Sequence, residues 1–334
     1  MGFATGDPSH TTASAGIHAY PDPPDVHEQQ AHEQAHEQER EQKQGHDHLD
    51  GHGHPSSDRP GLERWARLRF PGLGEGARGL DVRATVVMLS ASLLLVVFRK
   101  FGGSSYFEQN LAWPTLRGES GRLSLWGDGY WFLACFVLLG VLPFSLNRIP
   151  ALRPPTMGVG LGDWRFGIKW TVGLFLPMFV IVMAASRFDT FAHYYPLNQA
   201  LGREAVDYFA GRGTPSETFL LRFVAYEVLY AIYFIGWEYF FRGHLTFGLF
   251  ERLGANGVLV GTIPFALMHV GKPFPEALGS IIAGVALGLF ALRARSFWYG
   301  FVLHAAIAWS MDFWALQSKV AALAAVAAQA QSQM

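Results

Sequence analysis

From residue 84 onward, long apolar runs alternate with short breaks that carry Gly, Pro and polar residues. A bilayer core of about 30 Å needs about 20 apolar residues per helix. The runs approach that length near 84–98, 125–146, 165–185, 217–252, 257–270, 276–292 and 296–316. The pattern predicts an all-α fold: a polytopic membrane helical bundle of about seven spans, since helices satisfy their own backbone in lipid. The breaks predict tight hairpins at 253–257 and 293–296, and a polar loop at 186–216 with a short helix near 198–210. Residues 317–334 form a C-terminal tail, expected as a short polar helix or frayed end.

Residues 1–60 break the pattern. They hold nine of the thirteen histidines, with Gln, Glu, Gly, Pro and Asp, and almost nothing that could bury a core. They are expected to be a disordered His-rich tail. The match His32-Glu-Gln-Ala-His36 to H-E-x-x-H lies in a repeat of His-Glu-Gln, without the packed helix, third ligand and cleft a zinc protease needs. The stretch His46 to His54 has the donor types to hold Zn²⁺, Ni²⁺ or Cu²⁺ loosely. Residues 1–30 lack an apolar h-region, so the first span is expected to direct insertion. Residues 61–83 are a basic juxtamembrane segment, and the cluster Arg59, Arg64, Arg67, Arg69, Arg78 and Arg83 predicts a cytoplasmic N-terminus.

Half the residues are hydrophobic, 16% are charged and the net charge is −1. That balance argues against a nucleic-acid partner and for the bilayer itself. The single Cys135 excludes a disulfide framework and a Cys-based metal site.

Charge inside the apolar runs is therefore the informative signal, because it is costly there unless paired or used. The run Ile235-Gly-Trp-Glu-Tyr-Phe-Phe-Arg-Gly-His244 carries Glu238 and Arg242 four residues apart, on one helix face. An ion pair that fixes packing and a chemical site both fit this spacing. Two later runs each carry one histidine, His269 and His304, and Glu276 and Asp312 lie nearby in sequence. With the hairpin tip at 253–257, Glu238 and His269 fall at similar depth. Asp312 follows His304 by two turns and is expected near the depth of Glu276. Glu227 shares a face with Glu238. His244 is expected to snorkel or cap, Lys272 to anchor at the interface, and His193 to be solvated.

The motifs Glu238-Tyr-Phe-Phe-Arg242-Gly243 and Phe265-Ala-Leu-Met-His269, followed by His304, resemble the CPBP family of intramembrane proteases. That family includes the type II CAAX prenyl endopeptidases and bacterial bacteriocin-processing or immunity proteins. The likeness covers a protease-like core at 217–316 within a membrane domain at 84–316. It implies an intramembrane endopeptidase that hydrolyses a peptide bond in a membrane-associated protein or peptide. Glu238 would activate water, Arg242 would orient Glu238, and His269 and His304 would hold the water, stabilise the oxyanion or ligate a metal. The implied cofactor is Zn²⁺ on His269 and His304 with Glu238 or Asp312, or none in a metal-free glutamate mechanism. The cavity would open to the cytoplasm, in the plasma membrane of a bacterium. Two positions depart from the family pattern. Trp237 stands where the family has the first of two adjacent glutamates, and Ala308 stands where it has Asn or Asp. Two other functions fit the same residues: a divalent-metal (zinc) transporter with a metal-buffering tail, and a catalytically inactive membrane scaffold.

Overall fold

The structure, a computed structural model, describes residues 81–113, 120–212 and 216–333. The His-rich tail, its H-E-x-x-H match and the basic cluster at 59–78 lie outside the described residues. Every regular element among the described residues is helical. We name them α1 (Val82–Phe101), α2 (Ser104–Tyr106), α3 (Ser120–Cys135), α4 (Leu142–Arg148), α5 (Trp164–Ala185), α6 (Asp189–Tyr194), α7 (Gln199–Phe209), α8 (Phe219–Glu238), α9 (Phe247–Leu253), α10 (Asn256–Leu267), α11 (Phe274–Ala294) and α12 (Trp298–Ser332). Three wider, π-helical stretches, Phe107–Leu111, Phe136–Val141 and Tyr239–Thr246, follow α2, α3 and α8 without a break.

Among the described residues, five helices are long and apolar enough to cross a bilayer: Val82–Phe101, Ser124–Arg148, Trp164–Ala185, Phe219–Leu253 and Phe274–Ala294. The protein is an all-α membrane bundle. The two remaining expected spans differ from the rest. Helix α10 stops at Leu267, and at ~1.5 Å per residue its twelve residues reach only ~18 Å, short of a full crossing. Helix α12 is one 35-residue rod to Ser332, so 317–332 continues it instead of fraying. Arg212 Nη2 reaches the Leu323 carbonyl of this continuation at 3.5 Å.

The helix ends follow local chemistry. Asp81 caps α1 by accepting from the Ala84 N–H at 2.8 Å, and Arg99 and Lys100 occupy its last turn, where cations suit the helix dipole. Asp163 caps α5 through the Phe166 N–H at 3.1 Å and also pairs with Arg293 at 3.0 Å, joining α5 to the end of α11. The Phe166 N–H and then Arg293 hold the Asp163 carboxyl below its ordinary range. Asn198 caps α7 and donates to Asp128 at 2.8 Å, pinning the 186–216 loop to α3. Gly254, with φ +55°, makes the turn between α9 and α10, and Arg295, also at φ 55°, closes α11 before α12.

Helix α8 and its π-helical continuation form the axis. Every residue from Gly236 to Leu249 is buried, so this stretch is surrounded by protein on all sides. An aromatic cluster packs around it, with Phe132 stacked on Tyr230 and Trp237 stacked on Tyr233. Gly236 lets the axis touch its neighbour: a Cβ there would lie 2.6 Å from the Phe136 Cα. Gly236→Ala is therefore expected to cost about 1–3 kcal/mol through overpacking, seen as a lower Tm in detergent. Gly279→Ala, where nothing lies within 4 Å of the added methyl, should not lower it.

Candidate active site

The π-helical stretch Tyr239–Thr246 begins where α8 ends, at Glu238. Such wide turns recur at functional sites. Here the turn carries Arg242 and His244, both almost fully buried. Glu238 has no exposed surface, and one of its oxygens serves two donors. Oε1 accepts from Arg242 Nη1 at 3.0 Å and meets His304 Nδ1 at 2.8 Å. The guanidinium also stacks over Phe265, 4.5 Å from the ring centre. Gly300, one turn before His304, makes room for the carboxylate, since a Cβ there would lie 2.8 Å from Glu238 Oε2.

These contacts fix the imidazole tautomers. A carboxylate oxygen that accepts from Arg242 can meet His304 only as an acceptor, so Nδ1 of His304 carries the proton. His269 Nδ1 lies 2.7 Å from the Phe265 carbonyl, which only accepts, so its Nδ1 is also protonated. Both rings are left with a bare lone pair on Nε2. Aromatic neighbours hold them: Phe234 lies 4.4 Å from His304, and Phe265 and Trp237 lie 4.7 and 5.9 Å from His269, centre to centre.

Both histidines line one cavity of about 120 Å³, together with Trp237, Phe234, Tyr233, Tyr230 and Lys272. That volume admits several waters. Glu238 is not among the lining residues; it stands behind His304. Lys272 is held at the wall by Glu276, Nζ to Oε1 at 2.7 Å, and Glu276 in turn accepts from the buried Tyr195 hydroxyl at 2.8 and 3.0 Å. The wall also includes Phe98 and Arg99 from the last turn of α1, so the cavity lies at the end of α1 away from Val82.

The structure thus brings Glu238, Arg242, His269 and His304 together and adds Lys272 and Trp237. The signal for Lys272 was its position three residues after His269, within one turn. Asp312 does not join them: eight residues past His304, it lies ~12 Å further along α12. Glu276 bonds to Lys272 and Tyr195, not to Asp312. His244 neither snorkels nor caps. Its Nδ1 meets Asn147 at 3.1 Å and its Nε2 meets Ser90 at 3.0 Å, so it ties α1 and α4 to the axis.

A catalytic zinc needs three protein ligands. Among the described residues no three His, Cys, Asp or Glu side chains converge on one point. Glu238 meets His304 on the Nδ1 side, not at its Nε2. The cavity therefore offers two imidazoles where three ligands are needed, and the chemistry below is derived from the side chains alone.

Removing one member of a buried charge pair strands the other, at about 3–5 kcal/mol. Arg242→Met should lower the melting temperature accordingly. Adding Glu238→Gln to that background should recover part of the loss, whereas losses that simply add would contradict the pairing.

Residues 218–310 match a family model described as Rce1-like, the type II CAAX prenyl endopeptidases. The match runs from the start of α8 through His304 and so contains Glu238, Arg242, His269, Lys272 and His304, but not Phe98 and Arg99 of the cavity wall. No curated protein and no solved structure matches the chain.

Proposed function

We propose that this integral membrane protein, which residues 218–310 assign to the CPBP/CAAX protease family, is a peptidase whose general base is an imidazole. The observation that carries the reading is the paired constraint on the two rings: each Nδ1 is bound, and both rings line one cavity that admits several waters. In the family pattern a glutamate precedes Glu238. Here that position is Trp237, which is a cavity wall.

In this scheme the attacking water gives one proton to His304 Nε2 as its oxygen bonds to the scissile carbonyl carbon. Glu238 orients the ring and stabilises the imidazolium that forms, as the buried carboxylate does in a catalytic triad. His269 Nε2 accepts a hydrogen bond from the water's other O–H, whose proton stays on the attacking oxygen, and so aims the water's lone pair. The Lys272 ammonium, fixed by Glu276, faces the oxyanion. His304 then returns its proton to the leaving nitrogen as the C–N bond breaks. The aromatic wall suits an extended, membrane-associated peptide.

Cleavage of a membrane-tethered peptide by the full chain tests this. His304→Ala should lower kcat by about 10²–10⁴-fold, Lys272→Met by about 10²–10³-fold, and a chelator should change neither. No cleavage by the wild type would favour an inactive scaffold; loss on chelation would favour a metal mechanism.

We also infer an orientation, from the basic residues and from the place of the cavity on α1. Basic residues up to Arg83 favour a cytoplasmic N-terminus, and α1 then carries Phe98 and Arg99, with the cavity, to the opposite face. A cytoplasmic N-terminus and a cytoplasm-facing cavity are incompatible in this fold, and we favour the first. A cysteine at the exposed Lys100 should react with an impermeant maleimide added to intact cells, against a silent background from the fully buried Cys135. Labelling only after permeabilisation would reverse the orientation.

A further inference from the structure

The family-matched core does not build the cavity alone. Tyr194 and Leu197, from the polar loop at 186–216, line it together with Lys272, and that loop lies outside residues 218–310. Between them stands Tyr195, with no exposed surface. Its ring packs 4.8 Å from Phe191 and 4.9 Å from Tyr194, centre to centre. Two bonds hold it. The hydroxyl donates to Glu276, at 2.8 Å to Oε2 and 3.0 Å to Oε1. The carbonyl accepts from Lys319 Nζ at 2.9 Å, and Lys319 lies on α12 past the matched residues. Three residues further on, Asn198 is pinned to Asp128 of α3 at 2.8 Å, so the segment is anchored at both ends.

The hydroxyl is the informative atom, because packing alone asks only for a phenyl ring. A Lys–Glu pair four residues apart and open to solvent holds its partners weakly. Lys272 and Glu276 form such a pair, with 25% and 16% of their side-chain surfaces exposed. The buried O–H reaches both oxygens of the carboxylate. That fixes the Glu276 carboxylate and so the oxygen that receives Lys272 Nζ at 2.7 Å. We propose that Tyr195 is the positioning residue for Lys272, acting through Glu276, and that Lys319 is the anchor of Tyr195. The charge on the cavity wall is then set by a loop and a helix end that the family match does not include. The effect on rate rests on the peptidase reading; the placing of Lys272 does not.

A covalent probe reads that placing without turnover. The full-length protein in nanodiscs is treated with limiting N-succinimidyl acetate. Mass spectrometry then compares acetylation of Lys272 with that of the exposed Lys100 in the same molecule. An amine held in a hydrogen-bonded ion pair is protected. Tyr195→Phe, which keeps the ring packing, should raise the Lys272-to-Lys100 ratio about three- to tenfold. Glu276→Gln should raise it at least as far, and adding Tyr195→Phe to it should raise it no further, because the phenol acts through the carboxylate. Lys319→Met should raise the ratio in the same direction. An unchanged ratio in Tyr195→Phe, or increases that multiply in the double variant, would overturn the proposal. An unchanged ratio in Lys319→Met would overturn the anchor. In the cleavage assay Tyr195→Phe should lower kcat about tenfold with KM unchanged, and should change nothing further in a Lys272→Met background. A wild type that cleaves nothing but shows the expected acetylation pattern would remove the peptidase reading and leave the positioning of Lys272 standing.

Discussion

One oxygen atom, Glu238 Oε1, sets the arrangement of the bundle's centre. It accepts from Arg242 and His304 where no side-chain surface of Glu238 reaches solvent. A carboxylate so placed is tolerated only if its donors are fixed, and each donor constrains a different element. Arg242 requires the axis to stay buried past the end of α8. His304 requires α12 to lie close enough for Gly300 to touch the carboxylate. Fourteen consecutive buried residues follow from this demand as much as from hydrophobicity.

The same constraint prepares the chemistry. Binding His304 through Nδ1 leaves Nε2 as the basic nitrogen, and the Phe265 carbonyl does the same for His269. The order is carboxylate, imidazole, cavity, so in the proposed reaction the acid would act through the ring and not on the water. Trp237 fits this division of labour, because a glutamate there would place a second carboxylate at the wall. The Lys272–Glu276–Tyr195 chain supplies a fixed positive charge on the opposing wall.

Much of this was legible in the sequence. The i,i+4 spacing of Glu238 and Arg242 in an apolar run announced a pair, and lone histidines in two later runs announced its company. What the spacing could not show is which atom faces which. Periodicity places side chains on faces, but it does not tell that Glu238 lies behind His304, nor that Asp312, on nearly the same face of α12, falls too far along to join it. The wide turn at Tyr239–Thr246 leaves no mark in a 3.6-residue pattern. Lys272 reads as an interfacial anchor from its position alone; its bond to Glu276, in the first turn of α11, holds it at the cavity wall instead. The short α10 and long α12 were misjudged for a simpler reason: apolar composition reports burial or lipid contact, and not where a helix ends.

The account turns on the protonation of two ring nitrogens. ¹⁵N-histidine spectra of the full chain, with His269 and His304 assigned by single His→Gln variants, test it most directly. Protons on Nδ1 and bare Nε2 atoms in both rings at neutral pH are the expected result. A proton on Nε2 of His304 would leave Glu238 facing a lone pair and contradict the arrangement described here.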